Sequence, residues 1–534
     1  YDRADAGALA REVRRVFDER YPAVGLPPLL VARRTDARGA ELVDARDYRG
    51  AEQAWRDAAR GYREAGDEPA AQVALGRLGA LLCLTGRHEE GGPLLAASSQ
   101  FLAAHGSPAR RAGARLRTGM VLAASGDPAA ALAALDEAAA DAAEAAEPHL
   151  EADVLLRRAH CLAELERTEE FRAAAREALD RYRRLGGDRL PTAWLLYARA
   201  VHADGPDEAL AALDAAVDAA PPGPASLEPR LARGRALCAA GRPADAVADF
   251  VEVVAVCTES DLAEGAAFAR MELASAYHEA GRPLEAAEAG EEAVGALAAL
   301  GAQEAADRCR YLLSASYREL GEHDAALALL DQVAANLDGF DNLPGRGQMH
   351  EEAGELLYGL DRDALAAARF HAAAEAYRAA GLPLAELRVL RRRALALRWA
   401  GDLDAALAAL ADADAAAVRL TVPPVPADPA EGAPADGTRA DGTRAARRPA
   451  ALRSIEAFGE AFLAELLLGE VLLRLDRPRE AEPVLRSVLA GLPRDADPLP
   501  QAAWLLAEAL ARLGREEESA ALRAEYGLDA DEAI

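Results

Sequence analysis

Lysine is missing from this chain: all 61 of its basic residues are arginine, in 534 residues. That absence removes the phosphate-binding P-loop lysine, the Schiff-base lysine and the kinase-type lysine. Isoleucine occurs only at Ile455 and Ile534 and asparagine only at Asn336 and Asn342, which reads as the codon usage of a GC-rich genome rather than as chemistry. Aromatics make up only 5% of a chain dominated by alanine, which suits closely packed helices and argues against a β-sandwich or barrel. The five cysteines, Cys83, Cys161, Cys238, Cys257 and Cys309, form no CxxC pair, so they read as small buried hydrophobes in a reducing cytosol, not as a disulfide framework. No apolar run approaches the ~20 residues of a membrane span, and no signal peptide opens the chain. A net charge of −28 opposes whole-surface attraction to nucleic acid or anionic lipid.

Catalytic and metal-binding signatures are lacking as well. HEEGG at His88 and HEEAG at His350 both want the second histidine of HExxH, and neither GxSxG nor GxGxxG occurs. Adjacent acids such as Glu169–Glu170, Glu291–Glu292 and Glu351–Glu352 point in different directions on a helix, as solvated faces do. GRGQMH at Gly345 is read as a turn in a loop between helix pairs. The expectation is a protein that is not an enzyme, with no cofactor and no metal.

What is present is a beat. A turn residue followed by a polar stub recurs at Arg46, Gly86, Gly126, Glu166, Gly205, Gly241, Gly281, Gly321, Asp361 and Gly401, and after a gap at Asp476 and Gly514. Seven of the first nine steps are 40 residues, which means one supersecondary unit copied many times. Between Ala306 and Leu337 the unit shows itself: Leu313, Tyr317 and Leu320 mark one helical face, Gly321 breaks it, and Ala326, Leu327, Leu330, Val333, Ala334 and Leu337 mark another. Seven residues before each turn residue sits a small one: Gly39, Gly79, Gly119, Ala159, Ala198, Gly234, Ala274, Ser314, Gly354, Ala394, Gly469 and Ala507. Five residues after it the side chain is again small, except at Phe171 and Leu210. Glycine inside a helix costs ~1 kcal/mol against alanine, and close approach of two helices is a reason to bear it.

Small residue, Gly-Arg/Asp/Glu turn and Ala together resemble the tetratricopeptide repeat (TPR) family, with GRPADAV at Gly241, GRPLEAA at Gly281, GDPAAAL at Gly126 and GDLDAAL at Gly401 as its turn signature. The resemblance implies an all-α fold: an α-solenoid, a right-handed superhelix of about twelve antiparallel helix pairs, longer in period than the usual ~34 residues. Four segments are expected: 1–35 as an N-terminal helical cap or the stump of an upstream domain, 36–420 as an array of about ten repeats, 421–450 as a Pro/Gly-rich flexible linker, and 451–534 as C-terminal repeats and cap. The poor copies at Glu166 and Gly205 are expected to mark a bend.

Placing other residues on the beat groups Arg77, Arg117 and Arg157, each nine residues before its turn residue, as a ladder on the first helices. The family resemblance implies that first helices line a groove that holds peptides or partner helices. Arginines there suit an acidic segment or a carboxylate; pairing with local Glu or Asp is the other reading. Arg388, Arg391, Arg392 and Arg398 form a second cluster, beside Trp399. The expected function is a bacterial, cytoplasmic scaffold binding a protein or peptide, with no nucleic acid or membrane partner. The alternative is the sensor portion of a larger bacterial signalling ATPase or transcriptional regulator; the opening at Tyr1 without Met fits an upstream domain.

Overall fold

A residue with positive φ ends one helix, and the polar residue after it starts the next. The computed structural model describes residues 26–203, 205–339, 342–420, 455–493 and 496–528. Among the described residues there are twenty-four α-helices and no strand. Of the twelve turn residues that set the beat, all but Gly205 sit in the left-handed region, from φ 55° at Asp476 to φ 86° at Gly86. At Gly86 the hydrogen bonds run from the Gly86 N–H to the Cys83 carbonyl (3.0 Å) and from the Arg87 N–H to the Leu82 carbonyl (2.8 Å), so the last carbonyls of the helix are satisfied. Most of the polar stubs act on the start of the following helix in one of two ways. Asp47, Asp67, Asp127 and Asp402 accept a backbone N–H three residues on. Arg87, Arg167, Arg242, Arg282, Arg477 and Arg515 instead pair with an acid three residues on, which keeps negative charge in the first turn.

The chain divides into two compact units, Tyr1–Gly281 and Arg282–Ile534. In the first unit the pairs are α1 (Pro28–Asp44) with α2 (Tyr48–Glu64), α3 (Glu68–Leu84) with α4 (His88–His105), and α5 (Pro108–Ala124) with α6 (Pro128–Ala145). Next come α7 (Pro148–Glu164) with α8 (Thr168–Leu185), α9 (Leu190–Val201) with α10 (Pro206–Ala219), α11 (Leu227–Ala239) with α12 (Pro243–Glu259), and then α13 (Ala263–Glu279). The second unit has α14 (Pro283–Ala299), α15 (Gln303–Glu319) with α16 (His323–Gly339), and α17 (Leu343–Gly359) with α18 (Asp363–Ala379). It continues with α19 (Pro383–Trp399) and α20 (Leu403–Arg419), α21 (Ile455–Arg474) and α22 (Pro478–Gly491), and α23 (Leu499–Arg512) and α24 (Glu516–Tyr526). The repeats are helix pairs joined by tight turns. Odd-numbered helices are called A and even-numbered ones B below.

The small residues do what close approach demands. All twelve positions seven before the turn and all twelve five after it are buried. A Cβ on Gly39 would lie 2.5 Å from the Trp55 ring, on Gly119 2.8 Å from Leu135, on Gly234 2.7 Å from Phe250 and on Gly354 2.7 Å from Phe370. At Gly79 the obstacles are backbone, Leu95 N at 2.6 Å and the Gly91 carbonyl at 2.8 Å. Each large partner stands nine residues after its turn residue, so a missing side chain on A is filled by a bulky one on B. In the fourth pair the bulk has moved: Phe171 is buried at the usually small position, and Ala159 and Ala175 stand where others have a Gly facing a large side chain. That volume exchange lets this weak copy fold as a pair. The fifth pair folds too, with shorter helices, and Gly205 keeps extended backbone (φ 163°).

Two readings of the sequence need correction. GRGQMH is not in a loop; it lies in α17, which Pro344 opens and Asn342 caps by accepting the Gly345 N–H at 3.0 Å. Gly347 within it is small because a Cβ would meet the Tyr377 ring at 2.7 Å. The 40-residue beat is also two 20-residue strokes. Gly66, Asp261, Gly301 and Gly381 turn from B to the next A with φ between 56° and 78°, halfway between the turns first read. The first helix opens at Pro28, ahead of the point at which the motif becomes legible; residues 1–25 and 421–450 lie outside the described residues.

Gly354→Ala is expected to destabilise by about 1–3 kcal/mol despite the better helix propensity of alanine, because Phe370 holds the space. Adding Phe370→Leu should return most of that loss. Gly295→Ala in α14, where a Cβ meets nothing within 4 Å, should stabilise by roughly 0.5–1 kcal/mol. Urea denaturation of the four chains checks this, and a neutral Gly354→Ala would refute the steric account of the small positions.

Candidate functional site

Within each unit the helix pairs are not stacked straight. In the first unit successive A helices touch: α3 with α5, α5 with α7, α7 with α9, α9 with α11 and α11 with α13. In the second, α19 touches α21 and α21 touches α23. Among the described residues no two successive B helices come together to the same degree. The A helices therefore form the inner side of the curve, and their side chains are the ones that face one another across it.

On that inner side the same three-part contact is built twice. Asp36 stands ten residues before Arg46 on α1, and it takes Arg77 of α3 (2.6 Å) and the Tyr62 hydroxyl of α2 (3.3 Å). Burial, then the charge of Asp36, pushes the Tyr62 phenol up to about 12. Glu351 stands ten residues before Asp361 on α17. It takes Arg392 of α19 (3.3 Å) and the Tyr377 hydroxyl of α18 (2.8 Å), and Arg388 adds two bonds at 2.8 and 3.0 Å. In both cases the acid is on one A helix, the tyrosine on its B partner and the arginine on the next A helix, so one carboxylate ties three helices together. A shifted version joins Asp153 of α7, Tyr182 of α8 (2.5 Å) and Arg189 in the turn that leads into α9 (3.2 Å).

The structure separates the arginines that the sequence had grouped. Arg77 is held by Asp36. Arg391 pairs with Glu460 (2.7 Å), Arg398 pairs with Glu470 (2.7 Å) while stacking 4.3 Å from the Trp399 ring centroid, and Arg392 also reaches Glu355. Arg117 and Arg157 differ. Arg157 forms no ion pair among the described residues, and burial, then the Arg189 charge, lowers its pKa. The Nε and Nη2 of Arg117 are sealed from solvent with no hydrogen-bond partner. Burial and then the neighbouring Arg77 charge pull its guanidinium down to about 10. The ladder is thus one paired and two unpaired arginines. The signal that separates them was in the sequence: the residue ten before each preceding turn is Asp36 for Arg77, but Gly76 for Arg117 and Leu116 for Arg157.

The second unit has an open recess of about 510 Å³ on the same side, between α15, α17 and α19, lined by Arg318, Gln348, Glu352, Glu355, Arg388 and Arg392 among others. Arg318 pairs with Glu352 at 3.3 Å across it. Its walls carry both signs of charge and the Tyr377 edge. Sequence reasoning found Arg388 and Arg392 but not their carboxylates, because Glu351 and Glu352 look like any adjacent acidic pair until the register is set by the turn. Among the described residues no cluster of three or more side chains could hold a metal ion, and no helix is long and apolar enough to cross a membrane.

No family model and no curated protein matches the chain. Solved structures similar to it include a Rap protein complexed with competence and sporulation factor (14% identity, 62% of this chain and 98% of that one, TM-score 0.39). Another is the apo form of the quorum sensor NprR from B. thuringiensis (15% identity, 70% and 96%, TM-score 0.35). A signal transduction ATPase with a tetratricopeptide repeat sensor, from Pyrococcus horikoshii, matches at 12% identity over 67% of this chain and 50% of that one, TM-score 0.38. Likeness at this level says nothing of a partner.

Glu351 gives a stability test. Burial raises its pKa, but the bonds from Arg388 and Tyr377, with the charges of Arg388 and Arg392, outweigh that and leave it below the usual carboxylate range. A folded pKa below the unfolded one contributes stability that is complete above the unfolded pKa and lost as pH falls through the folded one. Glu351→Gln should therefore cost about 2–3 kcal/mol near neutrality, and the gap from wild type should narrow in acid. Urea denaturation at about pH 7 and about pH 3 measures both; a gap as wide in acid would show that the charge is not what matters.

Proposed function

We propose that the chain is a non-enzymatic, cytoplasmic scaffold that binds a protein or peptide along the inner, A-helix side of its TPR-like repeats. The observation that carries this reading is the recess between α15, α17 and α19, where three successive A helices present paired charges and a tyrosine edge to open space. A chain laid there can exchange the Arg318–Glu352 and Arg392–Glu355 pairs for its own side chains one at a time, so that binding needs no bare charge at any stage. The expected partner is a segment that carries carboxylates, given arginines as the recurring cations; nucleic acid and membrane are disfavoured by a net charge of −28.

Photo-crosslinking in the native host separates the two sides of the repeat. A benzophenone amino acid at Gln348 or Tyr311, on A helices, is expected to capture a defined set of proteins. The same probe at exposed Leu365 or Val251, on B helices, should capture little of that set. Equal capture from both sides would count against an inner binding face.

A further inference from the structure

Where α20 gives way to α21 the array departs from its own spacing. The B-to-A links at 300–302 and 380–382 hold three residues, whereas the one from α20 to α21 runs from 420 to 454. At that same seam an apolar groove of about 420 Å³ opens between the B helices α20 and α22, with α21 as its floor. Leu407 and Leu410 line it from α20, Leu468 and Leu472 from α21, and Val484 from α22. Leu410, Leu468 and Leu472 belong to the core of the second unit and are 4% exposed or less, so the groove reaches down to the core itself. Ala413 and Ala464 on its walls leave the space, and close-packed interiors do not hold one this large. Its charged residues, Asp414, Glu465, Arg477, Arg479 and Glu480, all keep contact with solvent.

Three properties define what fits. The first is length: Leu407 and Ala417, both on the α20 wall, are ten residues apart, a span of ~15 Å at ~1.5 Å per residue. The second is the absence of charge, which an aliphatic floor could not solvate. The third is a backbone with few N–H groups, since leucine side chains offer them no acceptor. The long link holds a run with all three. Within 421–454, which lies outside the described residues, Val422, Val425 and Leu452 are the only large apolar side chains. Val422 and Val425 are set among Pro423, Pro424 and Pro426. Those prolines carry no amide hydrogen, so only the two valines of the run have a donor to satisfy. A proline-rich run of five residues rises ~3.1 Å per residue, or ~15 Å in all. It also stands within reach: Val422 is five residues past Ala417, and five extended residues span up to ~17 Å, the whole length of the groove.

We infer that residues 422–426 of this chain occupy the groove between α20, α21 and α22, with Val422 and Val425 against its leucines. The run is tied to the end of α20, so its effective concentration at the groove is of millimolar order, and a free segment of the same chemistry has to compete with it. The groove lies between B helices, so this inference stands apart from the inner-face reading above.

The test reads access to the groove wall in the full chain. Val484→Cys places a thiol on that wall, and its labelling by a maleimide is followed by peptide mass spectrometry, which separates it from the five native cysteines. Ser487→Cys, a near-isosteric change on the same wall, repeats the measurement should Val484→Cys disturb the fold. Adding Val422→Asp with Val425→Asp is expected to speed labelling about tenfold or more, the low end of what burying one valine contributes. Adding Ala430→Asp with Ala435→Asp instead, the same charges farther along the link, should leave the rate unchanged. Equal rates with and without the valine changes, or an equal gain from the alanine changes, overturn the assignment. Native mass spectrometry of wild type covers the other occupants. A small molecule or second copy that wild type retains and Leu407→Glu loses would give the groove to that occupant and overturn the assignment as well.

Discussion

Everything in this chain follows from how near an A helix must come to its B partner. Gly79 and Gly91 bring backbone against backbone, with no room for a methyl group on either. Where glycine stands on A, Trp55, Leu135, Phe250 or Phe370 fills the space from B. The depth of that seam fixes the direction of each pair, and the fixed 20-residue stroke then places the next pair. Because each pair within a unit packs on its neighbours and on little else, the register repeats, and where the step is 40 residues a given offset from the turn meets the same offset in the next repeat. The ion pairs Asp36–Arg77 and Glu351–Arg392 occur at equal offsets for that reason alone.

The repeat, its helical class and the small positions were legible because they rest on local chemistry: a left-handed turn wants Gly, and a tight seam wants Gly or Ala. Less was legible where two positions trade against each other. Phe171 looked like a defect, yet Ala159 and Ala175 make room for it. The B-to-A turns at Gly66, Gly301 and Gly381 lie halfway between the turns first read and were not part of that beat. GRGQMH was taken for a loop on its glycines, although Asn342 and Pro344 ahead of it are helix-starting residues and Gly347 is there for Tyr377. In the candidate site the arginines could be grouped by offset, but paired and unpaired members separated only when a second offset, that of the acid, was set beside the first.

The use of arginine alone has its own consequence. Its five donors in a rigid fork reach two acceptors at once. Arg233 spans Asp214 and Asp249, Arg111 spans Asp141 and Glu144, and Arg378 and Arg419 both close on Glu386, which is 1% exposed. These ties run from one helix to another. Their stabilisation is modest where exposed and larger in the seams, but their main effect is to fix rotation: a carboxylate that must serve arginines from two helices leaves neither helix free to slide.

A nearest-neighbour architecture also sets where an unfavourable charge can be kept. In a single-core protein a sealed cation would weaken the whole cooperative unit. In a stacked array its cost falls mainly on the interface that holds it, here α3 against α5, while the Asp36 contact on one side and the α7–α8–α9 contact on the other remain intact. Those flanking carboxylate–tyrosine–arginine contacts clamp the repeats on either side of Arg117. Rigid neighbours favour preorganisation, and the array supplies them as a carboxylate–tyrosine–arginine contact in the first pair and a shifted version of it in the fourth.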